Sequence, residues 1–214
     1  MKLIYKKLIR PLLFQLDAEH AHDLACRFLK VTEKSILARK CISLASSAKS
    51  QSCNVFGLSF PNRLGLAAGM DKNGAFPKTF SSLGFGHVEI GTITPKAQPG
   101  NPKPRLFRYP KYNALVNRMG FNNDGADAVV SRIAKFYPKG KRSTPLGINI
   151  GKGKDTPIEQ AHNDYISCLN KCYNQADYIT VNISSPNTPN LRELHGKSVI
   201  TPFLENLIKA SRTC

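Results

Sequence analysis

The sequence is poor in negative charge. Its 214 residues hold 14 Asp+Glu against 31 Lys+Arg, a formal net charge of +17. Yet no run of five like charges occurs, and residues 1–50 carry 10 basic and 4 acidic side chains, a net +6 that leaves +11 for the rest. The excess is spread and no aromatic–basic motif accompanies it, so it describes a solvated basic surface and disfavours a nucleic-acid binder. Six cysteines, at 26, 41, 53, 168, 172 and 214, form no CxxC pair and show no zinc spacing. Cys168 and Cys172 can share a helix face, but two ligands do not make a site; a reduced intracellular chain is the simple reading. GxGxxG and GxxxxGK[ST] are both missing, which excludes dinucleotide-fold and P-loop readings. HExxH and a catalytic carboxylate pair are missing too. No stretch approaches the ~20 apolar residues of a spanning helix. No small-residue cleavage site follows the N-terminus, so a secretory signal is not expected. Proline and glycine are scattered, which argues against a long linker.

What is present begins with an amphipathic start, MKLIYKKLIRPLLFQL. Leu3, Ile4, Leu8, Leu12 and Leu13 can share one helical face with the cations opposite. Pro11 is expected to kink or end that helix. Asp17 suits the N-cap of a second helix in which Ala21, Leu24, Ala25, Phe28 and Leu29 make the apolar stripe. Residues 35–44 read as a short third element. A helical module over 1–46 is therefore expected, its apolar face either packed on the main body or lying in a membrane interface with its cations near anionic lipid.

From residue 53 the pattern changes. Residues 53–60 (CNVFGLSF) read as a hairpin around Gly57. Four short apolar runs follow at 64–68 (LGLAA), 87–92 (HVEIGT), 146–150 (LGINI) and 178–183 (YITVNI). Helix-length segments are expected at 76–83, 124–136, 157–173 (with Pro157 at its first position) and 201–210. Strand–helix alternation predicts an α/β fold with a parallel sheet.

Each apolar run ends in Gly, Asn, Thr, Ser or Lys: Gly69–Lys72 after the first, Gly91-Thr92 after the second, Asn149 to Lys152 after the third, Asn182 to Thr188 after the fourth. Any one such stretch is ordinarily a turn. Four in succession, at the carboxyl ends of parallel strands, predict one polar ligand pocket. Asparagines offer donors and acceptors to a ring with amide and carbonyl edges. Lys72 can face an anion or a reduced, anionic ring. The five histidines carry no triad-like arrangement near Ser185.

Five longer stretches, LGLAAGMDKNG at 64–74, GFGHVEIGTITPKAQPGNPKPRLFR at 84–108, NRMGFNNDG at 117–125, LGINIGKGKDTP at 146–157 and NISSPNTPNLR at 182–192, resemble dihydroorotate dehydrogenase of the membrane-associated, quinone-linked class. The resemblance implies a (β/α)8 barrel, FMN as cofactor, and oxidation of (S)-dihydroorotate to orotate in pyrimidine synthesis with a membrane quinone as acceptor. By resemblance, Ala68, Gly69, Met70, Asp71, Lys72, Thr92, Asn149 and Asn182 line FMN. Lys72, Asn117, Arg118, Met119, Gly120, Phe121, Asn182 and Asn187 face the substrate. Ser185 is the catalytic base, where the soluble class has Cys, and Thr188 assists it. His22 and Arg108 line a quinone mouth formed by the N-terminal helices. Peripheral attachment follows, at the cytoplasmic face of the inner membrane if the source is bacterial.

A (β/α)8 barrel takes about 250 residues. Here four barrel strands precede the end, so 53–214 is expected to be the N-terminal half of an FMN-binding barrel, truncated. The family's later portion supplies a flavin-contacting Lys, a Thr-Asn substrate pair and glycine-rich phosphate-binding strand ends. The alternative reading is an inactive fragment with at most membrane or partner binding.

Overall fold

The computed structural model describes residues 2–46 and 51–213. The N-terminal run is helical throughout: α1 (Lys2–Ile4), a π-helical turn (Tyr5–Ile9) and α2 (Arg10–Gln15). Pro11 does not end the helix as expected. The ladder widens just upstream of it, where Arg10 N–H bonds to the Tyr5 carbonyl, so the proline falls at a π-helical bulge within a continuous helix. α3 (Ala18–Lys34) starts as expected on Asp17, whose carboxylate accepts from Glu19 N–H and His20 N–H at 2.8 and 3.3 Å. Its stripe divides, however. Leu29 packs on the core with Cys26, while Leu24 and Phe28 face outward. α4 (Ile36–Ser46) follows, with Ser35 Oγ accepting from Ala38 N–H.

β1 (Cys53–Val55) and β2 (Leu58–Phe60) form the expected antiparallel hairpin. Then come β3 (Gly65–Leu66), α5 (Pro77–Ser82) and β4 (His87–Ile93). A second antiparallel hairpin, β5 (Leu106–Tyr109) with β6 (Ala114–Asn117), has no counterpart in the sequence reading. After it come α6 (Ala126–Phe136), β7 (Leu146–Ile150), α7 (Ala161–Cys172), β8 (Tyr178–Val181) and α8 (Lys197–Ser211). Pro157 lies outside α7, ahead of a short 3-10 turn (Ile158–Gln160).

Strands β3, β4, β7 and β8 make one parallel sheet in sequence order. With α5 to α8 they are four β–α units of a (β/α)8-type barrel, an α/β fold. Period-two alternation divides the strand side chains. Val88, Ile90, Leu146, Ile148 and Ile150 are fully buried against the helices, beside Val129, Ile133, Tyr165 and Cys168. That layer is the core. His87, Glu89, Asn149, Tyr178 and Thr180 occupy the alternate positions, on the barrel-interior face. Gly147 is required there, because a Cβ would lie 2.2 Å from the Tyr178 ring. The β1–β2 hairpin approaches the lower end of this face, with Phe60 edge-on to His87 at 5.5 Å and His87 edge-on to Tyr178 at 6.0 Å. An open cavity of about 910 Å³ lies between hairpin and sheet, lined by Phe56, Phe60, His87, Glu89 and Tyr178 among others.

Two carboxylates of α3 fasten it to the barrel. Glu19 pairs with Arg105 and Lys103. Glu33 accepts from Lys78 N–H, Thr79 N–H and Thr79 Oγ1 at 3.2, 2.8 and 2.9 Å, so it caps α5, which lacks a cap of its own.

Candidate active site

The polar strand ends do come together. The loop after β3 is tied to β4 by two backbone bonds, Gly69 N–H to Gly91 O at 2.9 Å and Gly91 N–H to Asp71 O at 3.0 Å. This sets the backbone of Gly69 to Asp71 beside the Gly91-Thr92 strand end. Asp71 turns inward: it is 1% exposed and accepts from Ala75 and Phe76 N–H at 2.8 and 2.9 Å. Burial pushes its carboxyl above the usual range, against the pull of those amides. Its carboxylate is thus spent on shaping the loop. The Lys72 ammonium has no carboxylate or hydrogen-bond partner among the described residues. Burial lowers its pKa, and the Arg105 charge lowers it further.

A hydrogen-bonded chain crosses three adjacent strands. Thr92 Oγ1 donates to Asn149 Oδ1 at 2.6 Å, and Asn182 Nδ2 donates to Thr92 Oγ1 at 2.9 Å. Asn182 Oδ1 accepts from Ser184 N–H at 3.1 Å, and its backbone carbonyl accepts from the buried Tyr165 hydroxyl at 2.7 Å. Below, Asn149 Nδ2 donates to Glu89 Oε1 at 2.9 Å. Gly151 permits the packing of this corner, since a Cβ there would meet Thr92 Cγ2 at 2.7 Å and Phe121 Cε2 at 2.8 Å.

The loop after β8 carries Ser185, half-buried, its Oγ accepting from Asn187 N–H at 3.2 Å. Thr188 is buried, but no hydrogen bond joins it to Ser185. Asn187 Nδ2 donates to Asn117 Oδ1 at 3.4 Å, which brings these two side chains together at the end of β6. Asn101 Nδ2 reaches the carbonyls of Arg118 and Asn187 at 2.9 and 3.3 Å. The rest of the 117–121 stretch is mixed, with Arg118 exposed and Gly120 half-buried. Arg118 donates to the Pro104 carbonyl at 3.1 and 2.9 Å, and Met119 and Phe121 are buried. The Gly120 backbone approaches Asn101, whose N–H donates to Met119 O at 3.0 Å.

His22 and Arg108 occupy separate settings. His22 Nε2 is 3.5 Å from Cys26 Sγ. Arg108 donates to the carbonyls of Leu13 and Leu16 at the end of α2 and lies over the Phe14 ring at 4.5 Å. A cavity of about 340 Å³ opens there, lined by Tyr5, Phe14, Arg108 and Leu115 among others.

Sequence reasoning missed three supports of the site. Asn123 accepts from Thr94 N–H and Gly125 N–H and donates to Phe121 O, holding the loop that carries Phe121. Lys152, 2% exposed, donates to the carbonyls of Gly153 and Thr156 and shapes the loop after β7. Glu89 had a visible signal, the single acid in an apolar strand. No group of three or more His, Cys, Asp or Glu among the described residues is placed to hold a metal ion. Burial raises the thiol pKa of Cys168, and that of Cys172 to about 12, so both are inert core residues.

These features define an α/β-barrel protein whose polar side chains gather at the carboxyl ends of its strands. The comparisons carry this further. The sequence profile of dihydroorotate dehydrogenase matches residues 50–213. The chain is 50% identical over 213 residues to a dihydroorotate dehydrogenase (quinone) of Janthinobacterium sp. (strain Marseille), covering 99% of this chain and 60% of that protein. It is 52% identical over 202 residues to the Acinetobacter baylyi protein of the same name, covering 94% and 58%. A crystal structure of Eimeria tenella DHODH in complex with ferulenol superposes with a TM-score of 0.68 at 39% identity, over 90% of this chain and 52% of that one. The chain belongs to the dihydroorotate dehydrogenase family. It spans between half and two thirds of the length of these relatives.

Proposed function

We propose that this chain contributes the dihydroorotate-oxidising site of a quinone-linked dihydroorotate dehydrogenase, with FMN as its cofactor. The observation that carries the reading is the Asn182–Thr92–Asn149 chain across three strand ends, with Lys72, which has no partner among the described residues, on the loop tied to β4. The donor set fits a flat ring with carbonyl edges. Asn149 and Asn182 each keep a second amide N–H for such a ring, and Lys72 supplies positive charge. Bound FMN would supply the acceptor for the hydride leaving C6 of dihydroorotate.

This chain's own part is positioning and proton transfer. Asn117 and Asn187 hold the pyrimidine edge. Ser185 Oγ takes the C5 proton while its own hydroxyl proton passes to solvent water, so the hydroxyl is regenerated as the hydride departs. Because Asn187 N–H already donates to Ser185 Oγ, the serine's own proton is free to point elsewhere, and negative charge developing on the oxygen has a donor in place. Lys72, partly desolvated, favours negative charge accumulating nearby.

The N-terminal helices supply the contact with quinone and membrane in this reading. Among the described residues no helix is long and apolar enough to cross a membrane. Leu3, Leu8, Leu12 and Phe28 are each more than 60% exposed, so the apolar face is open rather than packed on the barrel. The cavity beside Arg108 offers a quinone an apolar wall and a cation.

The test is flavin retention by the full chain in mild detergent with added FMN, followed by dihydroorotate-dependent dye reduction. Retained flavin with activity that falls about 100-fold or more in Ser185→Ala supports the reading. Desalting that strips all flavin removes catalysis by this chain alone and favours the non-catalytic fragment.

A further inference from the structure

The geometry points to Glu89 as the positioning residue that fixes which way the site's asparagines face, an inference that rests on the flavin reading above. Glu89 sits on β4 two positions below the Gly91-Thr92 strand end, on the barrel-interior face. Its Oε1 accepts from Asn149 Nδ2 at 2.9 Å. Its Oε2 accepts from Thr180 Oγ1 at 2.9 Å and the Tyr178 hydroxyl at 3.2 Å. One carboxylate thus gathers donors from the adjacent strand β7 and from β8 beyond it, above the open cavity.

The consequence is directional. A carboxylate only accepts, whereas an amide presents a donor on one side and an acceptor on the other. Asn149 must therefore turn Nδ2 toward Glu89 and Oδ1 toward Thr92. Thr92 must then spend its single proton on Asn149, at 2.6 Å, and can only accept from Asn182. Asn182 in turn keeps Oδ1 for Ser184. Every choice upward is dictated by the acid at the bottom. The site accordingly presents amide N–H groups, not carbonyls, to a ring lying over Asn149 and Asn182. Glu89 touches neither ring nor substrate in this scheme; it acts through Asn149.

Glu89→Gln separates this role from space-filling. Glutamine keeps the volume but offers both a donor and an acceptor, so the Asn149 amide is no longer held one way round. The full chain, with asparagine-selective labelling, is followed by NMR of side-chain amides and by FMN titration. In E89Q we expect melting and far-UV circular dichroism as in the parent. The Asn149 and Asn182 amide signals should shift and exchange faster, and FMN affinity should fall about tenfold. A space-filling role would leave both signals and affinity unmoved. Unchanged amide signals overturn the proposal, as does unchanged affinity in a chain that retains FMN. A parent chain that retains no FMN sinks the flavin reading instead, and the amide signals still decide the role of Glu89. Should E89Q fail to fold, N149D sets two carboxylates against each other, and adding E89Q to it restores a donor between them. Recovery of at least half the melting loss supports the proposal; no recovery overturns it.

Discussion

Glu19 and Arg105 lie 86 positions apart and meet in a buried ion pair, Arg105 Nε and Nη2 donating to one Glu19 oxygen at 3.1 and 2.9 Å. The same guanidinium donates to the carbonyls of Pro99 and Asn101 at 2.7 and 3.0 Å, and Asn101 reaches the carbonyl of Asn187. A helix of the N-terminal module is thereby linked to the loop that carries Asn187.

Glu19→Gln leaves Arg105 buried without its counter-charge, and should cost about 3 kcal/mol of stability in a denaturant melt. Burial alone would raise the Glu19 pKa, but the hydrogen bonds and charges of Arg105 and Lys103 outweigh it and hold the carboxyl below 4.5. The stability this group contributes is therefore full above its unfolded value, and is lost as pH falls through the lower folded one. The parent chain should lose stability steeply below about pH 4.5, and E19Q less steeply. Parallel acid limbs for the two proteins would contradict this.

Lys72→Met should separate binding from stability. With its folded pKa below 10.5, the unfolded chain holds the lysine proton more tightly, so the residue costs stability at neutral pH and less as pH rises toward 10.5. The variant should melt at or above the parent temperature at pH 7, while binding FMN about tenfold or more weakly. A variant that melts lower and binds equally well would remove Lys72 from the site.

Gly151→Ala drives a methyl into Thr92 and Phe121. A loss of about 1–3 kcal/mol is expected. Because both neighbours belong to the pocket corner, ligand affinity should fall alongside stability. Phe121→Leu, which makes room, should recover part of both in a double-mutant cycle.

The open apolar face of α1 to α3 predicts vesicle binding. The full chain should co-sediment with anionic vesicles. The combined variant Leu8→Gln, Leu12→Gln, Phe28→Gln should bind them about tenfold or more weakly. Added salt should weaken the parent's binding through the cationic side chains alone. Equal binding by both proteins would show that this face does not enter the membrane.

Much of the fold was legible because hydrophobic period carries it. The run LGINI is β7 residue for residue, and the hairpin around Gly57 stands where the turn residue put it. The hairpin of β5 and β6 escaped notice because its strands, LFRY and ALVN, are short and hold no fully buried residue, so no buried face imposes alternation. The polar strand ends were readable as one cluster since Gly, Asn and Ser punctuate each run. The inward turn of Asp71 was not, because it depends on amides four and five residues downstream. Glu89 escaped for a related reason. Its partners lie on β7 and β8, and only the sheet register sets them beside it.

The capping of α5 by Glu33 bears on how this protein can be handled. Trimming away the first 46 residues would strip more than an exposed apolar surface. It would leave the first amides of a barrel helix bare and expose the apolar patch under Leu29 and Cys26. The Arg105 loop beside the site would lose its anchor at the same cut. The segment that invites deletion is part of the scaffold it appends to, and a soluble core is better sought by changing its outward leucines than by removing it.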